Sequence, residues 1–310
     1  MISSIFGKTK PFNFVIILTF LFVFYWTAIF VLFSKPYNSQ EILMQCVVLL
    51  VLFFMVFIIN FIVKRNKITE PNSFAIVFFS CLIILFPEVL LDNNGILCTF
   101  FLLLATRKLL SIKSLKKIKL KVFDASIWVA VSSLFYDWAM LYFLLVFITI
   151  YLYQPKNIRN WLIPFIAFFT VAFITFGALT VLNKPNFIED HYTFSVNIAN
   201  DFIFQWQNSL KLIIYILAAL ILFVFTFLKL SKSGKGRINT MRLIAIFFFI
   251  GLIITLLESY DQVTPILLTF FPTSVFITNY IENIKRPKLK EVALILLIII
   301  PFIVLITRFN

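Results

Sequence analysis

Long apolar runs alternate with short polar breaks along this chain, and the breaks themselves alternate between basic and acidic. Apolar stretches fall at about 12–33, 42–63, 73–87, 95–110, 123–136, 138–153, 161–182, 210–229, 241–257, 263–282 and 291–307. A helix rises 1.5 Å per residue, so about 20 residues cross roughly 30 Å of hydrocarbon. The pattern predicts an all-α, polytopic transmembrane helix bundle of about eleven helices, with residues 1–310 forming a single integral membrane domain. Lys8 and Lys10 precede the first run and no small-residue cleavage site follows it. That run reads as an uncleaved helix rather than a signal peptide.

Two stretches depart from a regular bundle and read as short hairpins. The first climbs from Ser73 to Phe86, turns over Pro87 to Gly95 and descends from Ile96 to Leu110. The second climbs from Asp124 to Tyr136, turns at Asp137 and descends from Trp138 to Tyr153. Arms of about 15 residues reach roughly 22 Å, which is short for a crossing. If the turns stop below the interface, Glu88, Asp92 and Asp137 line an acidic depression open to the outside. Acids held at membrane depth are costly and raise a functional hypothesis. The alternative is that both hairpins tilt or thin the bilayer, which leaves the acids as solvated turn residues.

Composition fixes the solvent. A chain that is 62% hydrophobic and 13% charged, with mean hydropathy +1.04, has too little polar surface to fold in water. The net charge of +14 would suit nucleic acid, but the cations sit in short loops between apolar runs and read as topology signals. With alternating crossings, 23 of the 27 Lys and Arg fall on one side, leaving Lys35, Lys184, Lys211 and Arg308 on the other. The N-terminus is therefore expected in the cytoplasm and the C-terminus outside, in a bacterial inner membrane. Glu41, Glu88, Asp92, Asp137, Glu189, Asp190, Asp201, Glu258 and Asp261 fall on the outer side, so that face is acidic. Apolar and basic residues interleave in the connector Arg107–Lys121, which suits an anionic inner leaflet or a lipid phosphate, with Arg107 and Lys108 as contacts. Asp124, directly after it, reads as the N-cap of the next helix.

Little else in the sequence carries chemistry. Cys46, Cys81 and Cys98 show no metal-ligand spacing and read as packing residues, and the six glycines form no phosphate loop or dinucleotide fingerprint. No cofactor and no metal are expected. The segment 183–209, with Tyr192 and Trp206 among acids, reads as amphipathic and able to cap the depression, or as an aromatic belt. His191 beside Glu189 and Asp190 is a candidate base without a visible nucleophile. Pro265 and Pro272 are expected to kink the helix at 263–282. Helix interiors built from Phe, Ile, Leu and Val count against a lipid or small-molecule transporter.

Leu102–Leu109 (LLLATRKL), Phe123–Trp128 (FDASIW), Ser132–Tyr136 (SSLFY) and Arg159-Asn160-Trp161 with Pro164 are the landmarks of a resemblance over residues 95–164. There the chain resembles an uncharacterised family of polytopic inner-membrane proteins of Bacteroidota, which implies class and compartment. It is also distantly similar to membrane glycosyltransferases that use polyprenyl-phosphate sugars. That likeness implies a carboxylate base among Glu88, Asp92 and Asp137, phosphate contacts at Lys184 or Lys211, and a lipid-linked sugar as partner. Those enzymes place their acids in a long first outer loop, whereas this one runs only from Ser34 to Glu41. The expectation is a lipid-linked glycan-handling protein of envelope biogenesis; the alternative is a non-catalytic subunit that binds partner membrane proteins.

Overall fold

In the computed structural model, residues 2–184, 186–194, 206–230, 234–257 and 265–306 are described. Asp201, Lys232, Glu258, Asp261 and Arg308, which entered the charge pattern above, lie outside them. Thirteen α-helices form among the described residues: α1 (Ile2–Phe6), α2 (Pro11–Thr27), α3 (Ser39–Asn66), α4 (Phe74–Leu85), α5 (Asn93–Leu110), α6 (Ile118–Ser132), α7 (Phe143–Tyr153), α8 (Ile158–Val181), α9 (Phe187–His191), α10 (Trp206–Leu230), α11 (Lys235–Leu257), α12 (Leu267–Glu282) and α13 (Pro287–Ile306). Every one of the eleven apolar stretches contains a helix. Seven of the segments are long and apolar enough to cross a membrane: Pro11–Leu32, Ser39–Asn66, Asn93–Ser114, Ile158–Val181, Leu210–Leu230, Lys235–Leu257 and Pro287–Ile306. This is a membrane protein. The other four stretches carry helices of 12, 15, 11 and 16 residues, at α4, α6, α7 and α12.

Two of those short helices form the centre. In α4 every residue but Leu85 is buried, and in α12 every residue but Tyr280 and Glu282. An apolar helix without a polar face can be surrounded by lipid or by protein, and these two are surrounded by protein. α4 packs against α12, α13, α3 and α2, while α12 also meets α10, α11 and α5. On the far side of α5 stand α6, α7 and α8. The few hydroxyls in the centre are satisfied locally. Ser80 donates to the Ile76 carbonyl at 3.0 Å, and Thr273, Thr278 and Asn279 donate to carbonyls four residues back at 2.7–2.9 Å. Tyr215 of α10 joins this set, its hydroxyl lying 2.7 Å from the Thr269 hydroxyl and 2.9 Å from that of Thr273.

Side-chain bonds sort the loops onto two ends. At the basic end, Ser73 donates its backbone N–H to the Phe6 carbonyl at 2.9 Å, and Glu282 accepts from the Glu70 backbone N–H at 2.9 Å. Arg237 donates to the Ile68 carbonyl at 3.1 Å, and Lys113 to that of Asn66 at 3.2 Å. At the acidic end the turn after α2, Ala28–Leu32, meets the turn after α4.

Two expectations are corrected. Asp124 does not cap a helix: α6 begins six residues earlier, because Ile118 and Val122 are buried against α5, and Asp124 pairs with Lys108 from within the helix. Pro265 is not inside a helix either but in the turn leading into α12, which leaves Pro272 as the proline within it.

Gly251 of α11 packs closely against Leu268 of α12. A Cβ there would lie 3.0 Å from the Tyr142 hydroxyl and 3.2 Å from the Leu268 Cβ, whereas one at Gly177 on exposed α8 would meet nothing within 4 Å. Gly251→Val should therefore destabilise the purified protein by about 1–3 kcal/mol through overpacking, read as a lower midpoint of thermal unfolding in detergent. Gly177→Val should leave that midpoint in place. Equal midpoints for the two variants would refute this packing.

Candidate functional site

The two hairpin turns are built alike, and each is partly buried. After α4 the chain tightens into a 3-10 turn over Pro87–Leu91, in which Pro87, Glu88, Val89 and Leu90 are buried. After α6 comes a second 3-10 turn over Asp137–Tyr142, in which Asp137, Ala139 and Tyr142 are buried. Helix ends enclosed in this way leave backbone N–H groups that water cannot reach, so side chains must take them up.

Asp92 and Asp137 do this. Asp92 is the N-cap of α5: Oδ1 accepts the Gly95 backbone N–H at 2.8 Å, and Oδ2 accepts the Tyr136 hydroxyl at 2.7 Å. The second bond ties one hairpin turn to the other. Asp137, 7% exposed, accepts the Trp138 backbone N–H at 2.7 Å through Oδ1 and the Phe194 backbone N–H at 2.8 Å through Oδ2. The described part of the segment 183–209 thus folds onto the second turn. The Tyr192 hydroxyl lies 3.1 Å from that of Ser133, and the Trp138 and Phe194 rings meet edge-on with centroids 5.5 Å apart. His191 Nε2 is 2.8 Å from the Ser133 carbonyl oxygen, which can only accept, so that nitrogen carries a hydrogen and anchors the segment. Asp201 and the Trp206 side chain lie outside what is described.

Glu88 is arranged differently. It is 6% exposed, and its Oε1 lies 2.9 Å from Lys211 Nζ of α10. The ammonium also sits 4.7 Å from the centroid of the Phe86 ring, which stacks edge-on against Tyr215 at 5.2 Å. Lys211 further lines a groove between α4, α10, α12 and α13. So a predicted carboxylate and a predicted phosphate contact, 123 residues apart in sequence, form an ion pair in which Glu88 is buried and Lys211 half-buried. Among the described residues no hydrogen bond or ion pair joins Glu88, Asp92 and Asp137 to one another. Lys184 is exposed just after α8.

Arg107 and Lys108 lie at the opposite end from these acids. The Arg107 guanidinium stacks over Phe61 at 4.8 Å and that of Arg65 over the same ring at 5.4 Å, while Lys108 pairs with Asp124 at 2.6 Å. They belong with the basic loops and not with Lys211. The sequence reading missed the Tyr215–Thr269–Thr273 node and Tyr136, because a lone hydroxyl in an apolar run gives no sign of which distant helix it will meet. Among the described residues no group of three or more His, Cys, Asp or Glu is placed to hold a metal ion.

Residues 10–309 match DUF6427, a family of unknown function, and the chain belongs to that family. No curated protein and no solved structure matches it.

Burial pushes the Asp92 carboxyl above its ordinary range, against the opposing hydrogen bonds from Tyr136, Gly95 and Asn94. The folded chain then holds this proton more tightly than the unfolded chain. Its stabilising contribution is complete below the ordinary carboxylate range and is lost as pH rises through the raised value. Thermal unfolding across the acidic range should show wild type losing stability with rising pH more steeply than Asp92→Asn, which cannot ionise. Tyr136→Phe, lacking a bond that favours the carboxylate, should carry that loss on to higher pH. Parallel profiles for wild type and Asp92→Asn would rule this out.

Proposed function

We propose that this protein sits in a bacterial inner membrane with its N-terminus in the cytoplasm and acts at the outer face in envelope biogenesis, on a lipid-linked sugar or glycan. The observation that carries the reading is the largely buried Glu88–Lys211 pair at the acidic end. A buried ion pair is weak evidence for stability, since the cost of desolvating both charges offsets most of their attraction. It places a proton acceptor and a cation side by side out of water, as glycosyl transfer from a lipid phosphate requires. In that reaction an acceptor hydroxyl attacks the anomeric carbon of the lipid-linked sugar while Glu88 takes its proton. The bond from carbon to phosphate oxygen breaks with its electron pair on oxygen, and Lys211 neutralises the departing lipid phosphate. Asp92 and Asp137, whose oxygens are occupied by backbone and hydroxyl donors, are positioning residues that hold the two turns.

The second reading, a non-catalytic subunit that binds partner membrane proteins, rests on α8. Its outward side exposes Phe165, Phe169, Phe173 and Phe176.

Lipid extracts from cells lacking the protein, complemented with wild type or Glu88→Gln, separate these readings. Polyprenyl-phosphate-linked sugars should accumulate in the deletion and in the Glu88→Gln strain, and return to normal with wild type. Full complementation by Glu88→Gln at equal protein level would remove the catalytic reading and leave the subunit.

A further inference from the structure

The Glu88–Lys211 pair lies at one end of a groove that opens sideways from the bundle. The groove has a volume of about 590 Å³ and runs between α4, α10, α12 and α13. Its wall on α10 extends from Leu210 and Lys211 to Leu222, a distance of roughly 18 Å at 1.5 Å per residue. Leu82, Leu85, Ile277 and Ile300 make the sides apolar, and Ala218 and Ala219 leave the space open. Lys211 is the charged side chain in the lining; the Thr273 hydroxyl donates to the Thr269 carbonyl, and the Tyr215 hydroxyl lies against those of Thr269 and Thr273. An apolar slot of this kind, open towards the space lipid fills and closed at one end by a cation, has the polarity of a lipid with an anionic head. Its length and volume suit one hydrocarbon chain rather than the paired chains of a phospholipid.

We propose that this groove binds a single-chain lipid phosphate, with the chain between α10 and α13 and the phosphate on Lys211. This rests on the reading of Glu88 and Lys211 given above, and adds where the lipid lies and what its arrival does. An ammonium carries three N–H donors, and in the structure one of them is directed to Glu88 Oε1 at 2.9 Å. An incoming phosphate competes with Glu88 for that charge. Once it has drawn Lys211 away, the Glu88 carboxylate can accept a hydroxyl proton. Glu88 thus gives up its ammonium partner when lipid is present, and no covalent bond is made or broken in the exchange.

Competition yields an unusual sign. Removing the carboxylate should tighten lipid binding, while removing the ammonium should weaken it. The probe is polyprenyl phosphate in phosphatidylcholine nanodiscs holding the full-length protein, with retained lipid counted by native mass spectrometry. Phosphatidylglycerol is titrated in parallel as the two-chain alternative. Wild type should retain polyprenyl phosphate in preference to phosphatidylglycerol. Lys211→Met should bind it roughly tenfold less tightly and Glu88→Gln several-fold more tightly, as expected for one charge-assisted hydrogen bond lost or freed. Ala218→Trp, which fills the groove from an exposed position without touching the ion pair, should abolish retention, and Leu217→Trp, on the same helix outside the lining, should not. Retention by Ala218→Trp at the wild-type level, or equal retention of phosphatidylglycerol, would overturn the groove assignment. Weaker binding by Glu88→Gln would overturn the exchange. The function proposed above fails separately: groove variants that lose lipid while Glu88→Gln still complements in cells leave a lipid-binding protein without the transfer step.

Discussion

A helix that ends inside a protein surrounded by lipid leaves backbone groups that no water can reach, and the acidic end of this molecule is organised around that constraint. α4 is 12 residues long and α6 is 15, so both stop early, and each is followed at once by a 3-10 turn buried among other helices. Backbone N–H groups of the turns take up carbonyls at the ends of α4 and α6, and Asp92 and Asp137 accept N–H groups of the segments that follow. Because the Tyr136 hydroxyl bonds to Asp92, the two turns hold one another. The segment after α8 then packs over the second through Tyr192 and Phe194.

That arrangement separates three acids that look equivalent in the sequence. A carboxylate whose oxygens accept backbone and hydroxyl donors is already doing work the fold cannot do without. Moving a proton on or off it would loosen a helix end. Glu88 is set apart by its ion pair with Lys211. A lysine partner also differs from an arginine. Its ammonium is a compact point charge on a flexible stem and can turn to another anion, where a planar guanidinium clamped on a carboxylate would lose two matched bonds. Phe86, beneath the ammonium, offers its ring face to a cation whichever anion that cation meets.

The class of fold was legible because a 20-residue apolar run has few meanings, and all eleven stretches do contain helices. Which of them lie at the centre was not legible. α4 is more apolar than α8 or α13 and α12 is less so, yet both α4 and α12 are enclosed while α8 exposes a row of phenylalanines. Membrane helices in contact with lipid and with protein draw on the same residues, so periodicity gives little help. Length was the available signal, and it had already marked α4 as short. The site was half legible. Glu88 and Lys211 were both visible as charges near the ends of apolar runs, but a pairing across 123 residues depends on α10 lying beside α4, which no local pattern encodes.

The cations divide by end in the same way. Arg107 and Lys108 were expected in the basic connector as contacts of a lipid phosphate there, and Lys184 or Lys211 as phosphate contacts on the opposite side. In the folded chain Arg107 and Lys108 lie with the basic loops, where Arg107 shares the Phe61 ring with Arg65 and Lys108 is held by Asp124. Lys184 is exposed, as is usual for a cation beside water. Only Lys211 is drawn in among apolar side chains, and a lysine ordinarily resists that unless an anion accompanies it. In the folded protein that anion is Glu88. A lipid phosphate would satisfy the same ammonium equally well, and a site with two anions for one cation is one in which the arrival of the second releases the first.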